Sequence, residues 1–417
     1  MPSDPDLYKL FCQRYRAVLR DGGALGVVLP RSTFVTDGSE GFRRWRFEET
    51  TCRRTDFLIN RRLWMFDTHP QYGVALVAAE RRAPSADHEV RVAGPADSLP
   101  AWEAQVASPG IALRREAFGP GWATPLIGTQ AEADLLAKVR VGHAFPHGPA
   151  GRWRCLPVRE LDETNDRRLW QGASSGRPLW KGESFDGYDP HGAGARPCPD
   201  TEAVRQKVTK LRPGSGSILA AEIPVAVRRR AVADQIDPAR VAFRDVSRSN
   251  DSRTVRACLV PPGVFLTNKA PYLAFAAGDD RERAACLAIM DSLPFDWQAR
   301  RFVEINLNFF ILEGLVVPDL GDEDFEAVAE CSARLSCVDD RYADFAGSFG
   351  IEPGPLPEEE RRRLRVEIDA RVARSWSLSA GELDLVLGDF TAGAVPAAYR
   401  QALRRRLAEL SVLSDKP

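Results

Sequence analysis

Apolar positions along the chain fall into four regimes. Leu7, Leu10, Phe11, Val18 and Leu19 share one stripe at helical spacing, predicting a helix over 6–20 that ends at Asp21-Gly22-Gly23 with a glycine cap. Ala24 to Pro30 is a continuous apolar run, the pattern of a strand buried on both faces. A second helix is predicted over 39–50, and short strands at 56–60 and 72–79. The interval 61–71 is too short for a crossover helix, so these last two strands are expected to pair antiparallel. Residues 81–150 lose this order: Pro, Gly, Ala and Ser dominate around Ala83–Pro100, which reads as linker, with a short helix over Glu132–Arg140. From 151 to 320, short strands alternate with turns at 151–155, 217–223, 240–246 and 254–260, and helices are expected at 284–293 and 296–303. The tail is helical in pattern over 322–335, 358–373, 379–387 and 397–410. Ser379 with Glu382 fits a capping box and Pro396 a helix start.

Composition narrows the class. The 417 residues are 44% hydrophobic and 28% charged, ordinary for a soluble globular protein. No apolar run reaches membrane-spanning length, and Met1–Leu10 is polar, so a cytoplasmic protein with no membrane partner is expected. The net charge of −1 gives no support to nucleic-acid binding. The cations are nearly all Arg, with Lys only at 9, 138, 181, 207, 210, 269 and 416. Arg suits bidentate contact to phosphate and guanine, but a whole-chain bias equally fits a GC-rich coding sequence. The 8 Cys have no zinc-pair spacing and read as reduced core thiols.

Particular motifs then suggest a family. Asp6-Leu7-Tyr8-Lys9-Leu10-Phe11, Gly22-Gly23 and Leu29-Pro30 resemble the second half of the catalytic domain of gamma-class adenine-N6 DNA methyltransferases. Phe66-Asp67-Thr68 is similar to that family's loop bearing an aromatic beside the flipped adenine. Further on, Arg177-Pro178-Leu179-Trp180-Lys181-Gly182 and Arg244-Asp245, Asn250 to Thr254 and Pro261-Pro262-Gly263 resemble blocks of type IIG specificity domains. So does Asn306-Leu307-Asn308-Phe309-Phe310-Ile311-Leu312 with Pro318. Glu367-Ile368-Asp369-Ala370 and Gly381-Glu382-Leu383 resemble the family's helical tail.

The resemblance implies an α/β fold: a partial class I methyltransferase (Rossmann-like) sheet over 1–82, a linker over 83–150, an α+β target-recognition domain over 151–320 and a helical tail over 321–417. It implies double-stranded DNA as partner and S-adenosylmethionine as cofactor. The Gly-rich cofactor turn and the Asn-Pro-Pro-aromatic motif that hydrogen-bonds the target amino group are not found in this sequence. Gly214-Ser215-Gly216, between Pro213 and a predicted strand, reads as a turn. None of the Lys residues has an acid two positions earlier, so no nuclease of the type IIG kind is recognised. The expectation is therefore a chain inactive alone, paired with an upstream chain that supplies the missing half. The alternative is a non-enzymatic DNA-specificity subunit.

Each candidate residue has a plainer role beside the functional one. Phe66 is either the platform for a flipped base, since unstacking costs a few kcal/mol that stacking partly recovers, or a core Phe at a strand edge. Trp64 and His69 are its neighbours in that role. Tyr8 and Phe11 are implied cofactor contacts, or simply a helix face on its own sheet. Lys181, Arg244, Arg248, Asn250 and Arg253 are implied DNA contacts, Arg gripping guanine and Asn adenine. Arg244, in an apolar strand, equally suits a buried pair with a carboxylate, though not with Asp245, which points to the opposite face. Asn306 and Asn308 are DNA candidates or turn residues. The runs Arg361–Arg363 and Arg404–Arg406 read as solvated helix faces. An unaided chain of this kind is also expected to expose an open sheet edge.

Overall fold

The computed structural model describes residues 6–67, 73–86, 88–210 and 222–414. Two compact units divide the chain, 1–141 and 142–417. No helix among the described residues is long and apolar enough to cross a membrane. The fold is α/β with mixed sheets, as the sequence predicts.

In the first unit, helix α1 (Leu7–Val18) leads into strand β1 (Ala24–Pro30), helix α2 (Glu40–Glu48), and strands β2 (Thr51–Ile59) and β3 (Gly73–Glu80). The predicted order of elements is present. β3 lies between β1 and β2 and is antiparallel to both, with Val77 opposite Val27 on one side and Thr55 on the other. Two expectations are corrected. The α1 helix ends at Val18 with Leu19 extended, and Gly22, at φ +72, sits later, in the turn into β1. β1 is not buried on both faces either: Val28 is 53% exposed and only Leu29 is fully buried.

The expected linker over 83–150 is also corrected. Strand β4 (Val90–Ala96) pairs parallel with β2, and β5 (Ile111–Leu113) pairs antiparallel with β4, giving the order β1-β3-β2-β4-β5. Helices α3 (Leu99–Val106) and α4 (Gln130–Val139) follow their strands, α4 opening on a Thr129–Glu132 capping box. The Gly-Pro composition that suggests a loop has a strand-specific cause. At Gly94 the backbone passes so close to β2 that a Cβ would lie 2.2 Å from the Phe57 carbonyl oxygen, at φ +106. Phe118 and Trp122 close the core over α2, their rings 5.1 and 4.9 Å from Phe47. The buried Arg43 guanidinium ties the same pieces together by donating to the carbonyls of Thr33, Thr36 and Gly121.

In the second unit, strand β6 (His143–Ala144) precedes β7 (Arg154–Val158), β8 (Arg177–Trp180), β9 (Arg196–Cys198), helix α5 (Glu202–Val208) and helix α6 (Val225–Asp234). Then come β10 (Arg240–Phe243), β11 (Ala257–Val260), β12 (Phe265–Leu266) and β13 (Tyr272–Ala277). The main sheet runs β11-β10-β13-β7, all antiparallel, and a smaller one β12-β8-β9. Both of these sheets are lined by buried apolar side chains, Trp180, Phe185 and Tyr272 among them. The strand expected at 217–223 and the turn at 214–216 lie almost wholly outside the described residues.

Helices α7 (Asp280–Met290), α8 (Leu293–Arg300) and α9 (Phe309–Glu313) are followed by β14 (Val316–Val317), which pairs with β6. The expected tail is helical: α10 (Asp322–Ser336), α11 (Ala343–Gly347), α12 (Glu358–Ser375), α13 (Ala380–Gly388) and α14 (Ala397–Ser414). The Ser379–Glu382 capping box is present. The tail is not a domain of its own, because it belongs to the same compact unit as the strands from 142 onward. The arginine runs are not simply solvated: Arg361 donates to the Leu335 and Tyr188 carbonyls, and Arg404 and Arg406 pair with Asp384 and Glu367. All 8 Cys are free, and only Cys331 is not fully buried.

Candidate nucleic-acid interface

The segment 247–253, Ser-Arg-Ser-Asn-Asp-Ser-Arg, runs between β10 and β11 without forming a strand. Such a stretch needs partners for its carbonyls if it is to hold one shape. Helix α8 supplies them. Arg300 donates through Nη1 to the Ser249 carbonyl at 2.8 Å and through Nη2 to those of Asp251 (2.8 Å) and Ser252 (3.1 Å). Its Nε binds Asp296 at 2.7 Å. Asp296 is fully buried, and its Oδ2 accepts the N–H groups of Thr254 (2.8 Å) and Val255 (3.0 Å) and the Arg253 Nε (2.9 Å). On the near side, Arg248 N–H donates to the Asp251 carboxylate. One buried acid and one arginine thus mould the loop from beneath.

This support sorts the predicted residues. Arg248 and Asn250 are exposed on the loop, and among the described residues the Arg248 guanidinium has no ion pair. Arg253 is instead held by Asp296 and by the Asp291 carbonyl. Arg244 donates to the Phe185 carbonyl and lies 3.4 Å from Asp186, so it has a carboxylate partner, but one on a neighbouring loop. Asn306 bridges Val246 through the backbone, and Asn308 caps α9, its carbonyl accepting from Ile311 and Leu312; both are half-buried.

In the same unit the predicted Lys181 is joined by cations that pattern reasoning missed, Arg159, Arg167, Arg196 and Lys269. Lys181 reaches Glu183 at 2.7 Å and lines a cavity of about 320 Å³ with Arg167, Arg196 and Trp170. Asp245 carries both Arg159 (2.9 Å) and Lys269 (3.5 Å), and Arg159 also lies over the Phe309 ring at 4.4 Å. Gly182 explains how these segments meet: a Cβ there would sit 2.8 Å from the Lys269 carbonyl oxygen. Arg159, Arg167 and Arg196 lie on separate strands and loops with no shared period, so no local signal announces them.

In the first unit, the loop after β2 is built around Asn60, which is fully buried. Its Oδ1 accepts from the N–H groups of Met65 (3.1 Å) and Phe66 (3.2 Å), and its Nδ2 donates to the Phe66 carbonyl at 2.8 Å. Trp64 Nε1 donates to the Ile59 carbonyl, and Arg62 and Leu63 hold left-handed backbone angles. The clamp leaves Phe66 46% exposed, so it is not a core side chain. Thr68 and His69 lie outside the described residues. Tyr8 is half-buried, its hydroxyl 3.4 Å from Ser39 Oγ, whereas Phe11 is exposed and stacks on Tyr15.

No family model and no curated protein matches this chain. Among solved structures it is similar to the type IIL restriction-modification enzyme MmeI in complex with DNA, at 10% identity and TM-score 0.46, over 96% of this chain and 52% of that one. It is similar also to the type IIG restriction endonuclease BpuSI, at 11% identity and TM-score 0.31, over 93% of this chain and 50% of that one. The chain spans about half the length of each.

Proposed function

We propose that this chain is the DNA-reading part of an S-adenosylmethionine-dependent, site-specific DNA adenine-N6 methyltransferase. The carrying observation is the loop 247–253, fixed by Asp296 and Arg300, with Arg248 and Asn250 left facing solvent. Arg and Asn are the side chains that grip guanine and adenine edges with paired hydrogen bonds, and a preorganised loop spends little entropy on binding. Lys181, Arg159 and Lys269 sit in the neighbouring segments as phosphate contacts that set register rather than sequence. Phe66, held out by Asn60, is the platform for the extruded base.

The transferase reading is favoured over a stand-alone specificity subunit by β1. Among the described residues β1 pairs only with β3, so one edge of the sheet carries free backbone groups. Leu7, Leu10, Phe11, Val18 and Val28 form exposed apolar surface on α1 and β1. A two-faced apolar strand with an open edge suits addition of a further strand. The part bearing the cofactor cradle, whether joined to this sequence or a separate chain, would supply it, and Tyr8 and Phe11 would then lie near the cofactor.

Fluorescence anisotropy with a mixed-sequence duplex at low salt tests the binding. Tight binding that weakens with salt is expected, and Arg248→Ala or Asn250→Ala should each cost about 1–3 kcal/mol on a preferred site. No affinity at low salt would overturn the proposal. Methyl transfer should appear only when the cofactor-bearing part is added.

A further inference from the structure

A second polar space lies in the same unit, lined by neither Arg248 nor Asn250. A cavity of about 380 Å³ is bounded by the turn 186–189, the segment 253–256, the start of α8, and helices α12 and α14. One wall is apolar, formed by Leu293, Ile368, Val395 and Pro396. The other holds Asp291, which is more than nine-tenths buried at 8% exposure. Its Oδ1 accepts the Ala257 N–H at 2.9 Å. Its Oδ2 is buried and has no hydrogen-bond partner; it faces Gly187, where a Cβ would stand 3.2 Å away. Tyr188, beside it, is buried, and its backbone, at φ +56, is one that a bulky residue adopts only under constraint.

The neighbours do not satisfy Asp291. Arg253 gives its Nε to Asp296 and its Nη2 to the backbone carbonyl of Asp291, not to the carboxylate. Asp369 is itself already occupied, accepting the Leu293 N–H at 2.7 Å and the Tyr399 hydroxyl at 2.6 Å. A buried carboxylate oxygen without a donor is costly, and a cation entering the cavity would offset that cost. No group of three metal-ligating side chains occurs among the described residues, and the apolar wall suits a hydrocarbon body rather than a hydrated ion.

We propose that this cavity binds a small aliphatic cation, an amine or guanidinium on a short hydrocarbon body. Its donor group takes the unpartnered Oδ2 of Asp291, and its body lies against Leu293, Ile368 and Val395. Burial pushes Asp291 up to about 7 and Asp369 up to about 6. The charged groups facing them are Asp186 and Asp189 from the turn, Arg253 and Arg256 from the segment before β11, and Glu358, Arg362 and Arg365 from α12. Tyr188 and Tyr399 also line the cavity, the Tyr399 hydroxyl donating to Asp369. The cation pairs with ionised Asp291, so binding tightens as pH rises through that range.

Isothermal titration calorimetry of the full chain with agmatine tests this, with glutarate as an anion of similar length. Saturable 1:1 binding of agmatine alone is expected, tighter at about pH 8 than at about pH 6. Asp291→Asn keeps an acceptor for the Ala257 N–H, and should weaken agmatine about 10- to 100-fold. The proposal fails if millimolar agmatine gives no saturable heat, if glutarate binds equally, if pH leaves the affinity unchanged, or if Asp291→Asn binds as the parent does.

Discussion

Glu160 and Arg240 are both fully buried, with Arg240 Nη2 2.6 Å from Glu160 Oε1. Burial alone would push the Glu160 carboxyl up, and its pKa is raised despite the opposing arginine. Further hydrogen bonds hold the pair: Glu160 Oε2 accepts the Leu266 N–H, and Arg240 donates through Nη1 and Nη2 to the carbonyls of Ile236 and Val264, while its buried Nε has no partner. Removing one partner strands the other, so Glu160→Ala should cost about 3–5 kcal/mol in urea unfolding. Replacing both by Met should cost far less, and equal losses would show that the pair is not the cause. Asp291 and Asp369 give a pH signature of opposite kind to salt-bridged acids. Their folded values, about 7 and about 6, lie above the unfolded value of 3.8, so the folded state binds their protons more tightly. Their contribution is complete below that unfolded value and is lost as pH rises through 6 to 7. Without ligand, thermal stability of the parent chain should therefore fall between about pH 4 and 7 relative to Asp291→Asn, by at most about 4 kcal/mol. Parallel pH profiles for the two proteins would contradict this. Glu160 and Asp291 were not singled out in the sequence and Asp369 only as part of a tail motif, since an acid looks the same in sequence whether the tertiary fold buries it or not.

At the scale of elements, periodicity located most of the longer helices and strands β1, β2, β3, β7, β10 and β11, but it missed β4, β5, β8, β9 and β13 and helices α3, α5 and α6, and it did not show what covers an element. The stripe Leu7, Leu10, Phe11 and Val18 is helical as predicted, yet faces outward, and the Ala24–Pro30 run is a strand yet an exposed one. Apolar pattern reports a surface to be buried; it does not say which part of the protein buries it. The region 83–130 erred in the other direction, because Gly94 and Pro95 resemble a loop in composition while serving a strand that crowds its neighbour. In the candidate site, Arg248 and Asn250 were legible from motif spacing, but their support from Asp296 and Arg300 was not, as it spans about fifty residues of sequence. The loops after β2 and β10 are both held by a single buried polar side chain or pair, which gives each a clean test. Asn60→Ala removes three hydrogen bonds from the Phe66 loop. It should cost about 1–3 kcal/mol and raise amide exchange at Met65 and Phe66. Arg300→Met leaves three loop carbonyls without their donor. It should weaken specific DNA binding more than binding to non-specific duplex, because phosphate contacts by Lys181 and Lys269 remain. Equal loss on both duplexes would mean that the loop does not read bases.

At the scale of the molecule, the division at 141/142 assigns the proposed chemistry unevenly. The side chains argued to contact duplex bases and phosphates lie in 142–417, while Phe66, proposed for the extruded base, and Tyr8, Phe11 and the open β1 edge lie in 1–141. The second unit has its own sheets, its own apolar cores, and helices that pack on them, which is what independent folding requires. The first unit keeps a sheet whose outer strand lacks a neighbour among the described residues. Expressed separately, 142–417 should give a cooperative unfolding transition and keep most of the DNA affinity of the full chain, whereas 1–141 should self-associate through β1. A charge on that strand separates the cause: Val28→Lys places a cation on the exposed face of β1. It should reduce self-association of 1–141, measured by sedimentation, without lowering its helix and strand content. It should also weaken capture of the cofactor-bearing part while leaving duplex binding by the full chain intact. If Val28→Lys changes neither property, then the β1 edge is not where the molecule is completed. If it abolishes duplex binding, the affinity for duplex does not reside in the second unit.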